Sequence, residues 1–111
     1  MKSRTLPVSE PLAAAYRAAA TIYERGDITA AKDLLAMNLV LDRSAEGWAR
    51  DLDRIRKQVG DCDVSAPLTP TGGLSGEFTW RCAHGRLKGS LLLAPTQPPL
   101  IQELKIATAT P

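Results

Sequence analysis

Cysteine and histidine are the side chains best suited to nucleophilic and metal chemistry, and this 111-residue sequence has three of them, Cys62, Cys82 and His84. His84 follows Cys82 by two residues in the predicted turn Ala83-His84-Gly85. The two side chains need not meet there, and no third residue is placed to orient the imidazole. A zinc site needs closely spaced ligand pairs, which these residues do not supply. We therefore expect no catalytic residue, no metal site and no cofactor.

The cysteines have a second use. Cys62 and Cys82 are 20 residues apart, one at the start of the first predicted strand and one at the end of the second. Antiparallel pairing of those strands places the cysteines opposite each other, and a disulfide closing such a loop stabilises a domain by about 3 kcal/mol. The disulfide predicts an exported protein, periplasmic or extracellular, because disulfides persist in oxidising compartments. The alternative is two free thiols in a cytoplasmic protein.

Acid–base chemistry has no evident candidate in the sequence. Proton transfer uses a buried carboxylate of raised pKa next to a polarising donor. The aspartates considered for this role fall at helix caps, in loops or at the ends of elements, and they are Asp27, Asp33, Asp42, Asp61 and Asp63.

The length and net charge of the chain limit the classes of partner that it could bind. The chain has the size of one domain, and 14 Lys and Arg against 12 Asp and Glu give a net charge of +2. That charge is too weak to indicate nucleic-acid binding, which needs a basic patch with several phosphate contacts. The sequence also lacks a run of about 18 apolar residues, the length that a membrane span needs. We expect neither a nucleic-acid partner nor a membrane span.

The first half of the chain predicts three helices. Ser9 is a candidate N-cap for the first, and Gly26 ends it near residue 25. A short second helix starts at Asp27 or Thr29 and leads into the ambiguous run 37–41. The third helix is capped by Ser44, stops at Gly60 and carries one apolar face, formed by Trp48, Leu52, Ile55 and Val59.

In the second half the apolar period changes to two, which indicates strands. Four strands are predicted at 62–64, 74–82, 87–93 and 100–106, separated by a loop at 67–73, a turn at 83–85 and a proline-rich stretch at 94–99. In the last strand, Leu100, Gln102, Leu104 and Ile106 share one face, and Ile101, Glu103 and Lys105 share the other.

This order predicts an α+β fold, with N-terminal helices packed on a four-stranded antiparallel meander sheet. We expect a single domain at 9–107, a disordered N-terminal segment at 1–8 and a disordered tail at 108–111.

The order of elements over 9–107 resembles the cystatin-like α+β roll of the nuclear-transport-factor-2-like superfamily. A narrower resemblance lies in Gly73-Leu-Ser-Gly-Glu-Phe-Thr-Trp-Arg-Cys82, Gly85-Arg-Leu87 and Leu93-Ala-Pro-Thr-Gln-Pro-Pro-Leu-Ile-Gln102. That pattern is similar to the small domain that follows the catalytic domain in some bacterial beta-lactamase-type serine hydrolases. The Ser-x-x-Lys nucleophile motif of those enzymes does not occur in this sequence, so the resemblance implies an accessory part without the chemistry.

Rolls of this superfamily often enclose an apolar pocket. The resemblance implies a pocket for a small apolar ligand here, with candidate lining residues Tyr16, Tyr23, Met37, Trp48, Phe78 and Trp80. The alternative is that these side chains form the hydrophobic core.

Three functions remain open at this point. The first is a non-catalytic accessory or ligand-binding domain associated with an exported serine hydrolase. The second is a small stand-alone enzyme of the ketosteroid-isomerase kind, acting on an apolar substrate. The third is a structural homodimer paired through the open face of the sheet. That face is predicted to carry Glu77, Thr79, Arg81, Lys88 and Lys105, unless Leu92 and Ile101 mark an apolar patch there.

Overall fold

The computed structural model describes residues 9–96 and 99–109 of the chain. Within them the helices come first, and the strands follow. The helices are α1 (Glu10–Arg25), a 3₁₀ helix (Ile28–Leu34), α2 (Met37–Asp42) and α3 (Ala45–Val59). The strands are β1 (Cys62–Asp63), β2 (Thr69–Pro70), β3 (Ser75–Cys82), β4 (Gly85–Ala94) and β5 (Leu100–Ala109). The predicted α+β class, with helices packed on an antiparallel sheet, is confirmed.

The first helix begins and ends where its capping residues predict. Ser9 Oγ accepts the N–H of Leu12 at 3.4 Å and donates to the carbonyl of Gly73 at 2.9 Å, which joins the start of α1 to the loop before β3. Gly26 ends the helix at φ 65°, in the left-handed region that favours glycine. The buried face of α1 consists of Leu12, Ala15, Ala18, Ala19, Ile22 and Tyr23.

The connection between α1 and α3 is more irregular than one short helix. Asp27 caps the 3₁₀ helix through the N–H of Thr29, and the ambiguous run 37–41 lies within α2.

The third helix agrees with its prediction. Ser44 Oγ accepts the N–H of Gly47, and Gly60 follows the last helical residue. The four predicted apolar positions, Trp48, Leu52, Ile55 and Val59, are all buried.

The sheet has the order β1-β3-β4-β5, and every neighbouring pair is antiparallel. It has a fifth strand within the described residues, because β2, inside the predicted loop 67–73, also pairs with β3. Since β4 occupies one edge of β3, β1 and β2 share the other edge. The segment Val64–Leu68 joins these two short strands along that edge.

A β-bulge corrects the predicted facing of the last strand. The register steps from Leu92↔Glu103 to Leu93↔Ile101, so β5 carries one extra residue at this point. Ile101 is consequently fully buried and Gln102 is exposed, the reverse of the predicted alternation. Beyond the bulge, Leu104 faces the core as predicted.

The ends of the chain were predicted to be disordered. β5 extends to Ala109, so Thr108 and Ala109 belong to the last strand and not to a tail. Residues 1–8 and 110–111 lie outside the described residues.

The helices cover one face of the sheet and leave the other to solvent. The core joins the buried faces of α1 and α3 to Phe78, Trp80, Leu87, Leu91 and Leu93 of the sheet. On the outer face, Glu77, Thr79, Arg81, Lys88 and Lys105 are exposed, as predicted. Because Ile101 is buried, it does not form an outer apolar patch with Leu92. No helix in the described part of the chain is long and apolar enough to span a membrane.

Candidate functional site

Four of the six predicted pocket residues meet in one aromatic cluster. Ring centroids are 4.6 Å apart for Phe78 and Trp80, 5.2 Å for Tyr16 and Phe78, and 5.6 Å for Tyr23 and Trp80. Phe78, Trp80 and Tyr23 are at most 2% exposed. These three rings therefore fill the core between α1 and the sheet, as the alternative to a pocket predicts.

The other two predicted residues lie away from this cluster. Met37, at the start of α2, is 75% exposed. Trp48 is buried in α3, where its Nε1 donates to the carbonyl of Leu39 at 3.4 Å and the guanidinium of Arg43 lies 4.2 Å from the ring centroid. The six residues therefore do not share one pocket. The large rings pack the core, and Met37 is on the surface.

Two of the six residues line grooves: Trp48 lines one of about 300 Å³, and Tyr16 lines a larger one. A groove of about 590 Å³ lies between α1 and the segment Val64–Leu68, and we call it the α1 groove. Most of its wall is apolar, and Arg17 is the one charged residue among those that line it. Its lining residues are Ala13, Tyr16, Arg17, Ala20 and Thr21 from α1, and Val64, Ser65, Ala66, Pro67 and Leu68 from the segment.

Both ends of the segment are held to the sheet. At one end, Cys62 and Cys82 form the predicted disulfide between β1 and β3, with Cα atoms 3.9 Å apart. At the other end, Thr69 of β2 pairs with Glu77 of β3. Leu68 also packs against Gly76, where a Cβ atom would lie 2.9 Å from its side chain. The outer wall of the groove is therefore anchored at two points of the same strand.

The middle of the segment is held by Tyr16. Its hydroxyl donates to the carbonyl of Ala66 and accepts the indole N–H of Trp80 at 2.9 Å. Burial raises the pKa of Tyr16 above its ordinary value of 10.0, and the Trp80 hydrogen bond opposes this shift in part. The hydroxyl is thus protonated near neutral pH, and its proton is already engaged with Ala66.

Acidic groups and the histidine lie on the surface. Among the described Asp, Glu and His residues, Asp51 alone is half-buried, and it pairs with Arg43 and Arg54 at 3.3 Å each. His84 is exposed in the turn after Cys82. Hydrogen bonds from Ser65 lower the pKa of Asp63, next to the α1 groove. No group of three or more His, Cys, Asp and Glu side chains able to hold a metal ion occurs in the described part of the chain.

Another groove, of about 480 Å³, adjoins the first and lies between α1 and the 3₁₀ helix. Arg17 and Thr21 line both grooves, so they stand on the ridge between them. The second groove has a more polar wall, to which Lys32 and Asp33 contribute. We therefore place the candidate binding site in the α1 groove.

Sequence reasoning found Tyr16 but missed Arg17 and the segment Val64–Leu68. A signal for Arg17 exists in the sequence, because its neighbours at helical spacing are small and uncharged. The segment has no periodicity and gives no such signal. Comparison with known proteins adds no constraint here, since no family model, curated protein or solved structure matches this chain.

Proposed function

We propose that this chain is a non-catalytic module that binds a small apolar ligand in the α1 groove. The proposal rests on one observation: an apolar groove of about 590 Å³ whose outer wall is fixed to the sheet. Small-molecule sites in proteins are concave, mostly apolar and largely pre-formed, with volumes of about 300–1,000 Å³. The α1 groove has this size and composition. The hydroxyls of Tyr16, Thr21 and Ser65 already donate within the protein, so they could only accept from a ligand, whereas Arg17 could donate to it.

The isomerase-like alternative has less support. That chemistry needs a carboxylate or imidazole in an apolar environment beside the substrate. In residues 9–96 and 99–109, no Asp, Glu or His is buried, and none lines the α1 groove. The hydroxyl of Tyr16, which does line the groove, already donates a hydrogen bond to the carbonyl of Ala66.

We also propose that the domain is a cystatin-like roll that accompanies an exported serine hydrolase. The element order, the sheet packed against α1 and the pattern from Gly73 to Cys82 support this relationship. The Cys62–Cys82 disulfide supports export, because such bonds persist in oxidising compartments. A Ser-x-x-Lys hydrolase domain in the same polypeptide, or encoded by a neighbouring gene, would agree with this proposal. An operon that encodes only cytoplasmic proteins and no such hydrolase would contradict it.

Ligand binding is tested with N-phenyl-1-naphthylamine, a neutral apolar dye that fluoresces in apolar sites. We expect saturable binding to the wild-type protein and loss of at least about tenfold in affinity in Ala13→Trp, whose ring would fill the groove. Ala49→Trp is the matched control, because Ala49 is exposed on α3. Circular dichroism checks that both variants keep the fold. Unsaturable dye binding, or equal affinity in both variants, would overturn the proposal.

A further inference from the structure

We infer that the ligand of the α1 groove is an organic anion, with an apolar body and one acidic headgroup bound by Arg17. This inference rests on the proposed ligand-binding function and adds the chemical class of the ligand. It is carried by Arg17, which forms no ion pair with the described residues and is the one charged residue in a mostly apolar wall.

Arg17 has no acidic partner on its own helix. The residues three and four positions away, which are the neighbours on a helix surface, are Ala13, Ala14, Ala20 and Thr21. No acidic side chain of residues 9–96 and 99–109 forms an ion pair with Arg17. Its guanidinium is therefore available to a ligand.

Three of the other arginines are paired, and the described arginines that also form no ion pair, Arg25, Arg50, Arg81 and Arg86, do not line the α1 groove. Arg43 and Arg54 both pair with Asp51 at 3.3 Å, and Arg56 pairs with Asp61 at 2.6 Å. Their charges are compensated within the protein. Arg17 is instead exposed, has small side chains as its neighbours on the helix, and lines the α1 groove as well as the groove beside it.

The position of Arg17 fixes how such a ligand would lie. The α1 wall runs from Ala13 to Thr21, about 12 Å along the helix axis, and Arg17 is at its midpoint. Apolar side chains face it from the segment, among them Ala66, Pro67 and Leu68. A ligand would place its apolar body between these walls and its headgroup at the rim. A guanidinium binds carboxylates and sulfonates there through paired, charge-assisted hydrogen bonds.

Ser65, on the opposite wall, does not offer its hydroxyl proton to the headgroup. Asp63 accepts hydrogen bonds from the N–H of Ser65 at 3.0 Å and from the Ser65 hydroxyl, so this hydroxyl is not free to donate to an anion. The exposed carboxylate of Asp63, which directly precedes the segment in the chain, also adds negative charge on that side. An anionic headgroup therefore belongs on the α1 side of the groove, at Arg17.

The test compares two dyes with the same ring system, neutral N-phenyl-1-naphthylamine and anionic 1-anilinonaphthalene-8-sulfonate. We expect Arg17→Gln to weaken binding of the sulfonate about fivefold and to change binding of the neutral dye by less than about twofold. Arg50→Gln is the matched control, since Arg50 is exposed on α3 and lines neither groove on α1. Raised salt should weaken binding of the sulfonate alone.

The outcomes separate this inference from the function on which it rests. If the neutral dye binds wild type and the Arg17→Gln protein keeps full affinity for the sulfonate, the groove binds ligands but not through this charge. Equal losses of affinity for both dyes in Arg17→Gln would show that Arg17 contributes packing and not charge, and would also overturn the inference. If neither dye binds the wild-type protein saturably, the proposed function itself fails.

Discussion

At the scale of single residues, the hydroxyl of Tyr16 links the α1 groove to the core. It accepts the N–H of Trp80, a residue with no exposed surface, and donates to Ala66 in the outer wall. A fully buried indole N–H has no water to replace a lost acceptor. The same oxygen therefore satisfies a core side chain and positions the ligand site.

We expect Tyr16→Phe to lower the free energy of unfolding by about 1–3 kcal/mol, because it leaves the Trp80 N–H unpaired. Urea unfolding followed by tryptophan fluorescence measures the change. Thr79→Val is the control, because it removes an exposed hydroxyl on the outer face of the sheet and leaves a side chain of nearly the same size. Equal stability of Tyr16→Phe and wild type would show that the indole finds another acceptor.

The tyrosines also predict a response to alkali. Burial raises the pKa of both Tyr16 and Tyr23 above 10.0, so the folded state holds these protons more tightly than the unfolded state. Their contribution to stability is complete below pH 10.0 and is lost as the pH rises through the folded pKa values. Urea unfolding at increasing pH should show this loss, with a shallower dependence in Tyr16→Phe. An identical dependence in the variant would contradict the assignment to Tyr16.

At the scale of elements, the pairing of β3 with β4 depends on an aromatic ring of β3 that packs directly on a glycine of β4. Phe78 and Gly89 are directly opposite in the register, and a Cβ atom on Gly89 would lie 2.1 Å from the Phe78 ring. A side chain at this position would displace Phe78 and disturb its contacts with Tyr16 and Trp80. The glycine is required by close approach of the ring.

Gly89→Ala should therefore destabilise the fold by about 1–3 kcal/mol, the usual cost of overpacking a core. Gly73→Ala is the matched control, because a Cβ atom there has no neighbour within 4 Å. Thermal unfolding of both variants measures the difference. Similar midpoints for the two would mean that Phe78 moves aside at little cost.

The elements differ in how far the sequence predicts them. α1 and α3 are bounded by capping residues, Ser9 with Gly26 and Ser44 with Gly60, and both helices begin and end as predicted. β2 was missed because a two-residue edge strand ending in proline has no period to detect. The bulge in β5 was missed for a related reason. One inserted residue shifts the alternation, and only the pairing with β4 shows where.

The candidate site was less predictable than the fold. Large aromatic residues at core-facing spacing do not show whether they line a cavity or fill it, and here Tyr23, Phe78 and Trp80 fill the core. The outer wall of the α1 groove is an aperiodic segment whose place depends on pairing at both of its ends. The cysteine pair was predictable because antiparallel pairing brings the start of one strand opposite the end of the other, and Cys62 and Cys82 stand at those two ends.

At the scale of the whole molecule, the sheet meets the rest of the chain at both of its edges. The edge of β5 is covered at its start, where the N–H of Ala36 donates to Ile101 at 2.8 Å and Asn38 Nδ2 donates to the carbonyl of Gln102 at 3.0 Å. The opposite edge, along β3, is covered by β1, β2 and the segment between them. The α1 groove is thus a consequence of how this second edge is closed.

The disulfide should control both stability and ligand binding, because the loop it closes contains the whole outer wall of the α1 groove. Reduction should cost about 3 kcal/mol of stability. It should also speed hydrogen exchange in the segment Val64–Leu68 and weaken binding of N-phenyl-1-naphthylamine, since β1 pairs with β3 through two residues only. Treating the Cys62→Ser/Cys82→Ser double variant with the same reductant controls for effects of the reagent. If the reduced protein binds the dye as tightly as the oxidised one, β2 and the Tyr16–Ala66 hydrogen bond are enough to hold the wall, and the disulfide serves stability alone.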